Sequence, residues 1–278
     1  MSPQTKKKDP SITFLNRFGY NVVKLPRTGI EPMDVIGRDA TTQWLGPISR
    51  VWASDEPVPS PGPPHAAVAI NGQRSDALDL SVGLSVLANA LAAFGAAVPS
   101  LDIAYKSAHS IQFSYTGVTS TSVAPFDAGN YLAKGTLRSD NPVVQNYFLT
   151  GKAMAYLIVE VLKSNSITVT ASDSHGAGVS VDVPAIQGII GAKIAVKPSD
   201  ASNSCLTFTG PEGVTFGFAV QQILRDGEKW ALHGAAPGAD IAFASRPGGP
   251  GRGAPSPQPV LLDTGDSECL LAMDSRAD

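Results

Sequence analysis

Between Asp79 and Asp102 the chain carries no charged side chain, and the intervening run, Leu80 to Leu101 (LSVGLSVLANALAAFGAAVPSL), fits two periods at once. Leu80, Leu84, Leu87, Leu91, Phe94 and Val98 step by four and three along one stripe of a helix. Leu80, Val82, Leu84 and Val86 also alternate with Ser81, Gly83 and Ser85, which is a strand with one aliphatic and one small polar face. Any fold for this chain has to place a segment that satisfies both patterns.

At 278 residues the chain can bury a sizeable core, as one large domain or two small ones. Two cysteines, Cys205 and Cys269, make no disulfide framework and point to a reducing compartment. The N-terminus, MSPQTKKKDP, has no apolar run behind its lysines, so no signal peptide is predicted and the chain is expected in the cytosol. The formal charge of −3 is uneven. From Gly253 on there are the acids Asp263, Asp266, Glu268, Asp274 and Asp278 against one base, Arg276. Without this tail the body is slightly basic, which weakly favours an anionic membrane surface; an acidic tail kept for solubility fits the same charges.

Along the chain, Asp9-Pro10 opens a helix that Gly19 stops. Tyr20–Leu25 reads as a strand, Ile30–Ile36 as a second one near an edge because of Pro32, and Trp44–Trp52 as a short helix or irregular segment. Asp55–Pro64 is a proline-rich loop and Ala66–Ile70 a short strand. Ile103–Val118 alternates as one long strand, and Phe126–Leu137 forms a short helix and loop. Val143–Leu162 gives a helix on Tyr147, Met154, Leu157, Ile158, Val161 and Leu162. Ile167–Ala171 and Val179–Val183 form a hairpin about Asp173–Gly178. Ile186–Val196, Leu206–Phe208, Val214–Val220 and Trp230–His233 are further strands. Residues 245–259 are a Pro/Gly-rich exposed linker, where proteases cut. Beyond it Val260-Leu261-Leu262 and Cys269–Met273 are apolar patches expected to dock on the body.

No catalytic constellation emerges. His65, His109, His175 and His233 lack metal-ligand neighbours, and neither CxxC nor HExxH occurs. Asp173, Ser174 and His175 are adjacent on a turn and point in different directions, whereas catalytic triads assemble across a fold. The glycines from Gly248 to Gly253 have no strand before them and no helix after, so they form no phosphate loop. Lys6-Lys7-Lys8 is too short for a nucleic-acid site. No enzyme, cofactor or metal is predicted. What stands out is sheet-forming material in two regions, Leu80–Val118 and Ser166–Val196. Each holds two alternating segments near the length of a tilted membrane strand. An ordinary sheet with one face on a core gives the same alternation.

Several blocks together resemble the bacterial gasdermins: DPSITFLNRFGYNVVKLPR (Asp9–Arg27), INGQRSDALDLSVGLSVL (Ile70–Leu87), LDIAYK (Leu101–Lys106), VDVPAIQGIIGAKIAV (Val181–Val196) and FTGPEGVTFGFAV (Phe208–Val220). The resemblance runs in order over about residues 9 to 235. It implies an α+β fold, a twisted and mainly antiparallel sheet with surrounding helices and a short C-terminal peptide docked on it. The implied organisation is a pore-forming domain over 1–244, the linker over 245–259 and an autoinhibitory peptide over 260–278, docked through Leu261, Leu262, Leu270 and Leu271. The implied function is a pore-forming death effector in antiphage defence. A caspase-like protease cuts the linker, and the freed body moves from the cytoplasm to the inner membrane. There it meets membrane lipids, assembles as a homo-oligomer and inserts β-hairpins.

The implied membrane strands fall at about Asp76–Leu91, Ser100–Tyr115, Ser166–Val181 and Gln187–Asn203. Their lipid-facing residues would be Leu80, Val82, Leu84 and Val86; Ile103, Tyr105, Ile111 and Phe113; Ile167, Val169, Val179 and Val181; Ile190, Ile194 and Val196. Arg252 is the first candidate for the cut and Arg246, followed by Pro247, the second; cleavage at a non-basic residue such as Phe243 is a further option. The family commonly carries a lipidated cysteine in its first residues, but residues 1–10 here have none, Thr5 standing about where it is expected, so no lipidation is predicted. The alternative reading is a soluble sheet-rich interaction module with a partner-binding acidic tail. In the pore-forming reading Leu80–Val98 is at least partly helical in the soluble chain and becomes a strand in the membrane.

Overall fold

A computed structural model describes residues 14–234 except residues 40, 97–100, 152 and 228. The linker and tail, with Arg246, Arg252, Leu261, Leu262, Leu270 and Leu271, lie outside the described residues.

The strands are β1 Asn21–Arg27, β2 Asp34–Arg38, β3 Thr42–Pro47, β4 Trp52–Ala53, β5 His65–Ala66, β6 Leu78–Asp79, β7 Ser110–Thr116, β8 Thr119–Ser122, β9 Thr136–Leu137, β10 Met154–Ser172, β11 Ala195–Pro198, β12 Cys205–Asp226 and β13 Lys229–His233. Helices α1 Leu80–Ala93, α2 Pro125–Lys134 and α3 Val183–Ile190 pack on them. Apart from the small β4–β9 pair, the strands form one antiparallel sheet.

Its spine is the pair β10–β12, 19 and 22 residues long. Each spine strand is flanked by three short strands laid end to end. Beside β10 run β2, β8 and β7; beside β12 run β13, β1 and β11. The ladder is interrupted where Ser164 pairs Val214 and Ser166 pairs Thr209, so Asn165 faces the looser run Gly210–Gly213. The Ser164 hydroxyl donates to the Thr116 carbonyl at 2.6 Å and accepts from the Ser166 amide at 2.9 Å, and the Asn165 amide donates to the Gly210 carbonyl. These side chains replace ladder bonds that the irregularity removes, as buried backbone groups require.

The irregularity divides the sheet into two unlike halves. In the proximal half both faces are covered. Leu157, Ala155 and Ile223 pack with Met33, Trp52, Leu132 and Tyr147 on one side. Tyr156, Ile158, Val161, Phe218 and Val220 pack with Val23, Ile30 and Ile36 on the other. In the distal half a single face is apolar: Ile111, Phe113, Ile167, Val169, Leu206 and Phe208 are buried under α1, α3 and the chain from Leu101 to Tyr105. Glu160 lies on the proximal side of the irregularity. It accepts from the Tyr20 hydroxyl at 2.9 Å and from the Ser120 hydroxyl. Burial, and then the Glu160 charge, push the Tyr20 phenol well above its ordinary pKa, so it stays a neutral donor.

Several elements differ from the sequence reading. The helix expected over Val143–Leu162 is a short helical turn, Pro142–Val144 widening through a π turn over Gln145–Leu149, followed by β10. Both faces of β10 are buried in the proximal half, so its apolar residues run on without alternation and mimic a buried helix. The strand expected over Ile103–Val118 is confined to β7; turns occupy the residues before it, with Ile103 73% exposed and Tyr105 buried. The second arm of the hairpin about Asp173–Gly178 forms only the bridge Ser172–Gly178, and Ile186–Val196 is α3 and then β11. Strand β2 pairs with both β10 and β3, so it is internal; Pro32 stands before it.

Phe208, fully buried on the covered face, and Thr168, on the opposite face with its hydroxyl 2.8 Å from that of Thr207, test this division. Phe208→Ala should cost about 3–5 kcal/mol in chemical denaturation, and Thr168→Ala about 1 kcal/mol.

Candidate membrane-inserting region

The residues of the two alternating regions gather on the distal half-sheet. On its apolar face lie Ile111, Phe113, Ile167 and Val169, each at most 3% exposed, with Val181, Ile190 and Ile194 around them. On its other face stand Ser110, Gln112, Ser114 and Thr116 of β7, Ser166, Thr168, Thr170 and Ser172 of β10, and Cys205, Thr207 and Thr209 of β12. Hydroxyls bridge the strands there: Thr116 to Ser166 at 2.9 Å, and Thr168 to Thr207. Such cross-strand pairs hold the ladder without any apolar cover.

The apolar face is hidden by α1. Leu84, Leu87, Ala90 and Leu91 are buried and Phe94 closes the stripe, whereas Ser81, Val82 and Ser85 are exposed. So the helical period of the run is the one this state uses, over Leu80–Ala93. The helix approaches the sheet through glycine: a Cβ on Gly83 would lie 2.6 Å from that of Ile111, and one on Gly210 2.7 Å from that of Phe94. Two spots without side chains therefore let α1 lie flat on β7 and β12. Local anchoring of α1 is sparse. Its N-cap residue, Asp79, makes no side-chain cap bond, and the helix has no acid in its first turn and no base in its last. It ends at Gly95, φ +92°.

The second cover, α3, is better capped. The Asp182 carboxylate accepts from the Ala185 amide at 2.9 Å, Pro184 sits in the first turn, and Gln187 Nε2 donates to the Gly191 carbonyl at 2.8 Å. Ile186 and Ile190, one turn apart, point into the core.

A second feature was not legible in the sequence. At the proximal end, Phe126, Gly129 and Ala133 of α2 face Trp230 and Leu232 of β13 across an open groove of about 510 Å³. Phe126 is 76% exposed. Gln221 lines this groove, and its buried Oε1 has no hydrogen-bond partner. The groove joins residues far apart in the chain, so no local pattern announces it.

The histidines do not converge. His65 is in β5 and His233 in β13, and His175 is on the exposed turn after β10. In that turn the Asp173 carboxylate accepts from the amides of His175 and Ala177, which is local turn chemistry. Among the described residues no three metal-ligating side chains cluster, and no helix is long and apolar enough to cross a membrane.

The chain is similar to known proteins in sequence and in fold. A family model described as the Bacterial Gasdermin Family matches residues 23–231. A gasdermin of Vitiosangium sp. is 38% identical, over 92% of this chain and 95% of that one. One from Lysobacter enzymogenes is 31% identical over 92% and 94%. A solved bacterial gasdermin from Bradyrhizobium tropiciagri superposes with a TM-score of 0.60 at 20% identity, covering 81% of this chain and 90% of that one, a likeness of fold.

The close packing under α1 makes a test of how the cover is held. Gly83→Ala should destabilise the chain by about 1–3 kcal/mol by overpacking against Ile111. Because the overlap is with the Cβ of Ile111, Ile111→Val, which keeps that atom, should not recover the loss in a double-mutant cycle read by chemical denaturation.

Proposed function

This chain belongs to the bacterial gasdermin family, whose members are pore-forming, non-enzymatic cell-death effectors, and from that premise we propose that it is an autoinhibited pore former switched on by proteolysis. The observation that carries this reading is the one-sided burial of the distal half-sheet. Removing α1, α3 and the turns near Tyr105 would leave a sheet that is apolar on one face and hydroxyl-rich on the other, the composition of a membrane β-wall.

In the proposed cycle a caspase-like protease cuts the linker over 245–259. The freed body then binds membrane lipids at the cell inner membrane, and the two covered regions extend as β-hairpins. The setting is antiphage defence, in which the pore kills the infected cell. Before the cut, residues 260–278 hold the body inactive in the cytoplasm. The groove between α2 and β13 supports a place for Leu261-Leu262 or Leu270-Leu271, because Phe126, Trp230 and Leu232 give it apolar walls, with Gln221, Asp226 and Lys229 at its polar side. An isolated hairpin in lipid would leave edge amides and carbonyls unpaired at several kcal/mol each, so neighbours insert together and close the sheet as a homo-oligomer.

Protein cut within residues 245–259 should release dye from vesicles of bacterial lipid, with a lag and a steep dependence on protein concentration. Intact protein should leave them sealed. Sealed vesicles after complete cutting would refute the pore, and release linear in concentration would refute collective insertion. Expression of a chain truncated before Gly253 should arrest growth. For the tail, replacing Leu261 and Leu262 by Asp, or Leu270 and Leu271 by Asp, should make the uncut chain toxic for whichever pair docks.

A further inference from the structure

The proline-rich run Asp55–Pro64 has no part in the pore-forming reading, and its shape follows from its own chemistry. From Glu56 to Pro64 every residue is a proline or precedes one. Proline fixes its own φ and drives the residue before it to extended backbone, so the run is a stiff, extended arm. Such an arm has little freedom to lose on folding, and a few contacts suffice to hold it. At its start the Lys134 ammonium of α2 donates to the Glu56 carboxylate at 2.9 Å. At its end the Gly62 amide donates to the Ser122 carbonyl at 2.9 Å, and His65 and Ala66 pair Ser120 and Thr119 as β5.

The arm delivers its last residues to the outer side of β8. That strand, Thr119–Ser122 (TSTS), carries no charge and no proline, and it pairs with β10 without a bulge. Left bare, it would be a flat edge on which another strand could add. Residues 61–66 are exposed, and β5 pairs with β8 alone among the described residues, so their far side is the sheet edge here. The Ala67 amide donates to the Val118 carbonyl at 3.0 Å. Amide directions alternate along a strand, so His65 also faces β8, while Ala66 and Pro64 face outward. The register counted on from His65–Ser120 puts Pro63 opposite Ser122. Pro63 has no amide, and Gly62 supplies the bond instead. Residues 61–66 contain three amides, those of Gly62, His65 and Ala66. The first two face β8, which leaves the Ala66 amide as the one that faces outward.

We propose that Pro61–Pro64 is a guard on the β8 edge, which keeps a second copy of the intact chain from adding a strand there. An incoming strand would bury its carbonyls against an edge that has almost no donors. Other edges of the sheet are blunted by shorter means. Strand β1 carries Pro26 at an irregularity, β3 has a bulge at Leu45 and ends at Pro47, and β11 ends in Lys197-Pro198. The β8 edge differs in that its own residues offer no such protection and a separate segment brings it. The guard goes beyond the pore-forming reading: it concerns the intact chain and holds whether or not the cut chain forms pores.

Sedimentation velocity of the intact full chain, with a reductant present, tests the guard. Pro61→Thr, Pro63→Val and Pro64→Thr together restore the missing amides in strand-forming residues. This triple variant should self-associate at concentrations roughly tenfold or more below those at which the natural chain first associates. Adding Ala66→Lys should reverse the association, because two copies would then bring like charges together at the edge. Pro57→Thr with Pro59→Thr, which adds amides before the paired stretch, should behave as the natural chain. A triple variant that stays monomeric, or a natural chain that associates as readily, would overturn the guard. So would association that Ala66→Lys leaves unchanged, or that the double variant at 57 and 59 shows equally, because misfolding or a loosened arm would then be the cause. Should the triple variant fail to fold, Pro64→Thr alone restores one outward amide at an exposed position and decides the question in the same way. Sealed vesicles after cutting of the natural chain would strike the pore-forming reading and leave the guard standing.

Discussion

Everything in this molecule hangs on the β10–β12 ladder and on its being clothed unequally. In the proximal half, side chains of both faces are buried, and no rearrangement there could expose one face without opening a core. In the distal half the same two strands carry Ile, Val, Leu and Phe on one face and Ser and Thr on the other. That half needs only one cover, and the cover is made of separate short segments. The irregularity at Ser164–Ser166 and Gly210–Gly213 marks the boundary.

The cover works through area more than through specific bonds. A fully buried leucine contributes about 1.5–3 kcal/mol, and α1 offers Leu84, Leu87 and Leu91 with almost no local capping to add to them. A bilayer can replace those apolar contacts, because hydrocarbon accepts the stripe as well as the sheet does. What it cannot replace is backbone hydrogen bonding, which is why the emerging strands have to pair with one another. In the proposed cycle the balance between helix-on-sheet and strand-in-lipid therefore turns on edges and neighbours, and it is there that the proposed autoinhibitory tail would act.

How far the sequence exposes this depends on the local period. The alternating strands β7 and the distal half of β10 are readable because one face of each is polar. The proximal half of β10 is not: Tyr156 to Leu162 is largely apolar on both faces, and that continuity is what suggests a helix over Val143–Leu162. Leu80–Leu101 shows both periods for a different reason. Ser81 and Ser85 are exposed in the helix and Gly83 gives it close approach to the sheet, while all three lie between the aliphatic positions of the strand. The same compromise appears in α3, where Ile186 and Ile190 serve a helix stripe although Ile190, Ile194 and Val196 also keep strand parity. Long-range features such as the groove of Phe126, Gln221 and Trp230 left no local trace at all.

The central claim is that α1 must leave the sheet before the membrane is breached. A reversible lock tests it: Phe94→Cys with Gly210→Cys, whose Cβ positions, 2.7 Å apart, have to open by about 1 Å to reach disulfide geometry, in a chain with Cys205 and Cys269 replaced by Ser. Oxidised protein cut in the linker should leave vesicles sealed, and adding a reductant should start dye release from the same sample. Equal release from the oxidised and reduced forms would contradict the account, because α1 would then be a bystander.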